Sequence, residues 1–299
     1  MGCALCPRAC GVNRSEESGF CSADDHLLVG SIVVHRGEEP PFVKGAGSGT
    51  IFFSCCPLKC SYCQNMQISH HAAGNVLSPK DLASHMKSLE EMGCSNINLV
   101  TPTHYTPLIL DSLDKAHDLG LSLPVIINSS GYETVSTLKL WKDYADIYLM
   151  DLKYGDNAMG RILSNAPDYW DIARQAITYL FESAGPLRTD QDGRGVKGLI
   201  VRHLVLPGML SNPFAVLEFL AGLSNEIPVS IMSQYNPSFY PGDISDMKRP
   251  LSADEYEVVL ERALELGFST IFSQDMDASD TYVPDFELLK PFGDEPRLL

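Results

Sequence analysis

The chain has 299 residues, 44% of them apolar, and a formal net charge of −16. That is ample for a sizeable core, and so acidic a surface argues against nucleic acid and anionic membranes as general partners, with solubility as the plainer reason for the charge. Nine cysteines are an odd number, too thinly spread for a stapled secreted domain, and no apolar run approaches the roughly 18 residues of a membrane span.

The first residues, "MGCALCPRACGVNRSEESG", lack the apolar run of a signal peptide, and Cys6 stands where a myristoylation motif requires Ser or Thr. The expectation is a cytoplasmic chain with reduced thiols, in which clustered cysteines signal metal or redox chemistry. Cys3, Cys6, Cys10 and Cys21 follow the spacing C-x2-C-x3-C-x10-C, with Pro7, Gly11 and Gly19 suited to tight turns around an ion. Four thiolates close a structural zinc site and equally complete a second [4Fe-4S] cluster, and C-x2-C-x3-C leans toward the latter. "RGEEPP" (36–41) reads as a solvated turn stiffened by prolines rather than a substrate or partner surface. Residues 1–46 are taken as a Cys-rich metal-binding extension and 47–299 as the core with its tail.

From residue 49 short apolar runs alternate with amphipathic stretches, the order of repeated βα units. The runs are "GTIFFSC" (49–55), "NINLVTP" (96–102), "LPVIINSSG" (123–131), "DIYLMDLKY" (146–154), "KGLIVRHLVLPG" (197–208) and "IPVSIMSQYNP" (227–237). Nearly continuous apolar character suits parallel strands covered on both faces. "SPKDLASHMKSLEEMG" reads as a helix with Ser78 as N-cap, Pro79 first, Asp81 at the capping-box site, Leu82, Met86 and Leu89 inward and Gly93 as stop. "SADEYEVVLERALELG" repeats the scheme with Ser252, Glu255 and Gly267, turning Tyr256, Val259, Leu260 and Ala263 inward. The expected fold is α/β, a (β/α)6 partial TIM barrel.

In such folds ligands bind at the carboxyl ends of the strands. Here those ends carry Cys56, Cys60 and Cys63, then "TPTHY", "NSSGY", "DLK", "VRH" and "SQYNP". The spacing C-x3-C-x2-C in one short loop holds three irons of a cubane and leaves the fourth open, whereas zinc would want a fourth protein ligand. Cys55 is out of step and reads as a small buried hydrophobe, as does Cys94. Asp151 and Lys153, two apart on a strand, leave the same face into the interior, where charges are paired or functional. His70 and His71 read as loop surface.

The cysteine spacing, with Tyr62 before the last cysteine at the end of the first strand of a six-fold β/α unit, resembles the radical S-adenosylmethionine superfamily. "CALCPRACGVNR" (3–14), "GSGTIFFSCCPLKCSYCQN" (47–65), "VTPTHY" (100–105), "NSSGYE" (128–133), "YLMDLKY" (148–154), "VRHLVLPG" (201–208) and "MSQYNP" (232–237) resemble the uncharacterised proteins named after the pyruvate formate-lyase activating enzymes.

The resemblance implies that Cys56, Cys60 and Cys63 ligate a [4Fe-4S] cluster whose open iron takes S-adenosylmethionine. One electron then yields methionine and a 5′-deoxyadenosyl radical that abstracts a substrate hydrogen. It places Tyr62 near the adenine and Asn65 beside cofactor or cluster. Thr101 and Thr103 replace the G-G-E-P motif that receives the methionine ammonium in activating enzymes, with His104 as proton donor or substrate contact, or else a residue capping the helix that begins near Thr106. Asp151 and Lys153 match a D-x-K in which the lysine meets the cofactor carboxylate, and Arg202 an arginine aimed at the cofactor, leaving His203 on the other face. Asn128, Ser129 and Ser130 suit ribose hydroxyls and Gln234 the adenine or substrate. A one-electron donor such as flavodoxin or ferredoxin is implied as partner. Three functions stand at this stage: activation of a glycyl radical enzyme, radical modification of a peptide or small metabolite, and a metal-binding interaction protein without catalysis.

Overall fold

The computed structural model describes residues 2–281, 283–288, 291–293 and 295–299. Its frame is a mixed sheet of strands β1 (Leu27–His35), β2 (Ser48–Phe53), β3 (Asn75–Leu77), β4 (Ile97–Val100), β5 (Val125–Ser129), β6 (Ile147–Asp151), β7 (Arg188–Thr189), β8 (Gly195–Leu204), β9 (Val229–Met232) and β10 (Ile271–Ser273). The order across the sheet is β10-β9-β8-β6-β5-β4-β2-β1-β3, with β7 paired to β8. From β2 to β10 along that order every pair is parallel. The six expected strands are all present, with the short β10 added at one edge. The chain therefore forms a partial β/α barrel in which, among the described residues, the edge strands β10 and β3 do not pair with each other.

The connections are helical: α1 (Met66–Ser69), α2 (Pro79–Glu91), α3 (Thr106–Asp118), α4 (Val135–Leu140), α5 (Asn157–Ser164), α6 (Tyr169–Ala184), α7 (Pro213–Leu223), α8 (Ala253–Glu265) and α9 (Ala278–Thr281). Both expected capping boxes form, Ser78 with Asp81 and Ser252 with Glu255, so each helix starts where its first N–H groups find side-chain acceptors. Leu82, Met86 and Leu89 are fully buried, as expected of that face. Tyr256, Val259 and Ala263 are buried and Leu260 half-buried.

One strand was not expected. The run "LLVGSIVVH" is β1, which pairs antiparallel with β2 from Ser31↔Phe52 to His35↔Ser48. Sequence before residue 47 thus contributes a strand to the same sheet as the barrel strands.

Strand alternation separates two faces. Leu99, Ile127, Met150 and Val201 belong to the large core under the helices, while Ile126, Ile147, Leu149 and Ile200 point inward and pack on Phe42. Phe42 plugs the amino-terminal end of the barrel, and farther along the same strands the inward positions become polar, with Asn98, Asn128, Asp151 and Arg202. No helix among the described residues is long and apolar enough to cross a membrane.

The ends of β5 and β6 are drawn together at Gly131 and Tyr169. The Tyr169 hydroxyl accepts from Lys153 N–H at 2.8 Å and donates to Ser130 O at 2.8 Å. Gly131 has φ +76, and a Cβ there would lie 2.1 Å from Asp151 O. Gly131→Ala therefore faces both left-handed strain and a backbone clash, and should cost about 2–4 kcal/mol. A guanidinium unfolding midpoint equal to that of the parent would show that the approach is not so close.

Candidate active site

A cavity of about 540 Å³ opens at the carboxyl ends of the parallel strands. It gathers Cys56, Cys60, Tyr62, Cys63 and Asn65 from the loop after β2, Thr101 after β4, Asn128, Ser129 and Ser130 from the end of β5, Asp151 from β6 and Lys153 just past its end, Arg202 from β8 and Gln234 after β9. Residues up to 178 positions apart in sequence thus meet at one mouth, from Cys56 to Gln234. Two expected site residues do not reach it. A 3-10 turn at Thr103–Tyr105 swings Thr103 toward Glu133, to which its hydroxyl donates at 2.5 Å. It also buries His104, whose Nε2 lies 2.8 Å from Ser54 O and whose pKa burial lowers to about 3. His104 is a neutral residue of the packing around β2, away from the cavity. His70 bonds Ser69 and His71 is exposed, so neither lines the cavity.

The cysteine loop owes its shape to left-handed residues, Cys55 at φ +70 and Lys59 at φ +52. The first turns Cys55 away from its neighbours into the core, where the Tyr105 hydroxyl is 3.7 Å from its sulfur. The other three thiols face the cavity and receive hydrogen bonds: Leu58 N–H to Cys56 at 3.4 Å, Ser164 Oγ to Cys60 at 3.2 Å and Ser69 Oγ to Cys63 at 3.2 Å, with the Lys59 and Asn65 main chain also donating to Cys56 and Cys63. Burial pushes the Cys56 thiol up to about 12 and raises that of Cys63. A coordinating metal reverses that preference by deprotonating the thiol outright. Three hydrogen-bonded sulfurs from one loop facing the cavity, and no fourth cysteine among the described lining residues, fit the donor set of a cluster with one open iron. Tyr62 is buried against this loop, its hydroxyl donating to Tyr154 at 2.9 Å.

Thr101 sits at φ +58, a sparsely populated conformation for a β-branched residue. Its N–H is held by Asn128 O at 2.8 Å. Such strain, of order 1–3 kcal/mol, persists where surrounding structure over-determines it.

Charge enters the cavity in matched groups. Lys153 Nζ lies 2.5 Å from Asp151 Oδ2; burial works against the ammonium, but the carboxylate outweighs it and the lysine pKa is raised. Arg202 grips Glu39 with two hydrogen bonds, 2.7 Å from Nε and 2.6 Å from Nη2, and Nη2 also donates to Glu38. Asn98 Nδ2 donates to the other oxygen of Glu38 at 2.8 Å. Burial would raise the Glu39 carboxyl, yet Arg202 more than offsets it and holds the group below its ordinary value. The segment 36–41, expected as a solvated turn, instead folds into the barrel: Glu38 and Glu39 line the cavity and Glu39 is 7% exposed. His203 faces the opposite side, bonded to Leu152 O and Ser211, as the strand parity required.

Behind Ser129 lies Glu133, fully buried and accepting from Thr103 and Ser129. Burial pushes its carboxyl up from an ordinary 4.5 to about 7, against the pull of those hydrogen bonds. A raised folded-state value means stability fully present below pH 4.5 and lost as pH rises through about 7. The loss should amount to about 3 kcal/mol at most. Glu133→Gln keeps a carbonyl to accept both hydroxyls and removes the charge. The variant should therefore show a flatter profile of unfolding free energy between those two pH values and exceed the parent at pH 8; parallel profiles would contradict the assignment.

Residues 50–190 match the family described as the Radical SAM superfamily. An uncharacterised protein of Methanocaldococcus jannaschii, MJ0674, is 31% identical over 278 residues, covering 90% of this chain and 76% of its own length. A crystal structure of methylornithine synthase (PylB) aligns with a TM-score of 0.42 and 15% identity, over 80% of this chain and 72% of that one. The cysteine loop and the strands whose ends form the cavity's mouth as far as Lys153 lie inside the matched span, and the chain belongs to the radical SAM superfamily.

Proposed function

We propose that the protein is a radical enzyme that holds a [4Fe-4S] cluster on Cys56, Cys60 and Cys63 and binds S-adenosylmethionine beside it. The observation that carries this reading is the convergence of three hydrogen-bonded thiols of one loop with Asp151 and Lys153 on one strand-end cavity. When bound, the pair supplies reductive cleavage of the sulfonium and a carbon radical that removes hydrogen from a substrate.

The chain's part is to bind and to orient. Lys153, its charge stabilised by Asp151, is suited to receive a carboxylate. Thr101 and the adjoining main-chain carbonyls offer acceptors to an ammonium group, and Asn128, Ser129 and Ser130 offer a polar edge to ribose hydroxyls. Tyr62, Asn65 and Gln234 border the space left for a base. Arg202 is spoken for by Glu38 and Glu39, so its part is to fix the cavity's inner wall.

The family resemblance points to a glycyl radical enzyme as hydrogen donor and to flavodoxin or ferredoxin as electron source. An anaerobic pull-down tests the first: a glycyl radical enzyme among the partners supports it, and turnover of a peptide or metabolite without one redirects the radical.

Anaerobically reconstituted protein with a strong one-electron reductant should release 5′-deoxyadenosine from S-adenosylmethionine, and Cys56→Ala, Cys60→Ala or Cys63→Ala should abolish the release. Parental rates in any of these variants would overturn the reading. Lys153→Ala should keep its iron and weaken binding of S-adenosylmethionine by about 1.5–3 kcal/mol, the worth of a hydrogen bond to a charged group. Equilibrium dialysis that finds unchanged affinity in the folded variant would return Lys153 to a purely structural ion pair.

A further inference from the structure

Cys3, Cys6, Cys10 and Cys21 take no part in the cavity, yet the fold brings them together. Cys3 N–H bonds Val12 O at 2.9 Å and Gly11 N–H bonds Cys3 O at 3.0 Å, closing a hairpin that carries Cys6 and Cys10 on its turn. Ala9, Gly11 and Ser22 adopt positive φ to make the bends. The thiols of Cys3 and Cys10 are within hydrogen-bonding reach. Gly19 abuts two of the sulfurs: a Cβ there would lie 3.3 Å from Cys10 Sγ and 3.5 Å from Cys21 Sγ.

We propose that these four cysteines hold a second [4Fe-4S] cluster, and that it passes electrons to the cluster loop of the barrel. The relay, unlike the site itself, rests on the reading of Cys56, Cys60 and Cys63 given above. Two observations point to a ligand at the four thiols. Arg14 puts Nη2 3.6 Å from Cys21 Sγ, and its Nε is buried with no partner among the protein's atoms. A buried N–H without a partner is costly, and sulfurs of a bound cluster are acceptors for it. Four thiolates could close a zinc site or carry a cubane; the C-x2-C-x3-C spacing and the contact with the barrel's cluster loop favour the cubane, and the metal count below decides.

The position of the site argues for the relay. Cys10 is exposed, whereas Cys21 is buried and its carbonyl accepts from Cys56 N–H at 3.4 Å. One hydrogen bond thus joins a ligand residue of each set. A protein donor of the flavodoxin class gives up one electron at the exposed side, the N-terminal cluster takes it, and the barrel cluster receives the same electron, with no proton or bond exchanged.

Iron, sulfide and zinc counted in the full chain after anaerobic reconstitution test the site. About eight irons are expected, two cubanes of four. Cys3→Ala/Cys10→Ala should lose about four of them, and the separate variant Cys56→Ala/Cys60→Ala/Cys63→Ala should also keep about four, now on the N-terminal thiols. That second variant reads the site independently of any cofactor cleavage. One zinc with about four irons in the parent, or no iron lost from the Cys3/Cys10 variant, overturns the proposal. The ratio of flavodoxin-driven to dithionite-driven cleavage should fall in the Cys3/Cys10 variant; an unchanged ratio overturns the relay.

Discussion

The guanidinium of Arg8 is the contact on which the site's shape depends. It donates to Pro57 O at 2.9 Å, to Leu58 O, to Ser164 O at 2.9 Å and to Asn165 O. The first two carbonyls belong to the cysteine loop and the last two to the end of α5, more than 100 residues away in sequence. A loop that is neither helix nor strand cannot satisfy its own main chain, and a buried carbonyl without a donor costs about as much as a lost hydrogen bond. Arg8 supplies those donors from outside, reinforced by Ser61 N–H to Leu163 O at 2.8 Å and Lys59 Nζ to Ser22 Oγ at 2.6 Å. Its own positive charge rests over the Phe20 ring at 4.0 Å. The N-terminal cysteine hairpin, which carries Arg8, is therefore tied by one residue to the barrel cysteine loop.

Much of the frame could be read along the chain because its determinants are local. A parallel strand buried on both faces must be apolar throughout, which is why "NINLV" and "IYLMD" announced themselves. A capping box needs only Ser78 and Asp81, or Ser252 and Glu255, three residues apart. The open-site cysteine spacing is local in the same sense. β1, the run "LLVGSIVVH", is less distinct, because it lies before the alternating βα order and pairs antiparallel with β2 instead of continuing the parallel series.

What could not be read was decided at long range. "RGEEPP" has the composition of a surface turn, and nothing near it shows that Arg202, 163 residues away, will draw Glu39 into the barrel. A buried Glu is rare unless paired, and the partner lies beyond any sequence window. Thr103 and His104 were misplaced for a different reason. Thr101 turns left-handed as the strand ends and the chain then coils into a 3-10 turn, so strand parity ceases to predict direction two residues past β4.

The same pairing constrains what the cavity admits. Its wall brings Glu38, Glu39 and Asp151 against Arg202 and Lys153, with Asp275 and Asp277 also lining it, so carboxylates outnumber these cations in a protein already strongly acidic. Both cations are engaged at hydrogen-bonding distance, so an anionic occupant would have to displace a buried carboxylate from its partner. Removing one member of a buried pair costs about 3–5 kcal/mol, because the other is left uncompensated in a low dielectric. Arg202, held by two carboxylates, is the less available of the two, and Lys153, held by one, is where an incoming carboxylate can share a partner rather than strip it away. A molecule that presents one carboxylate toward Lys153 and positive charge toward the glutamates therefore meets the wall's electrostatics without breaking either pair. An occupant anionic at both ends does not.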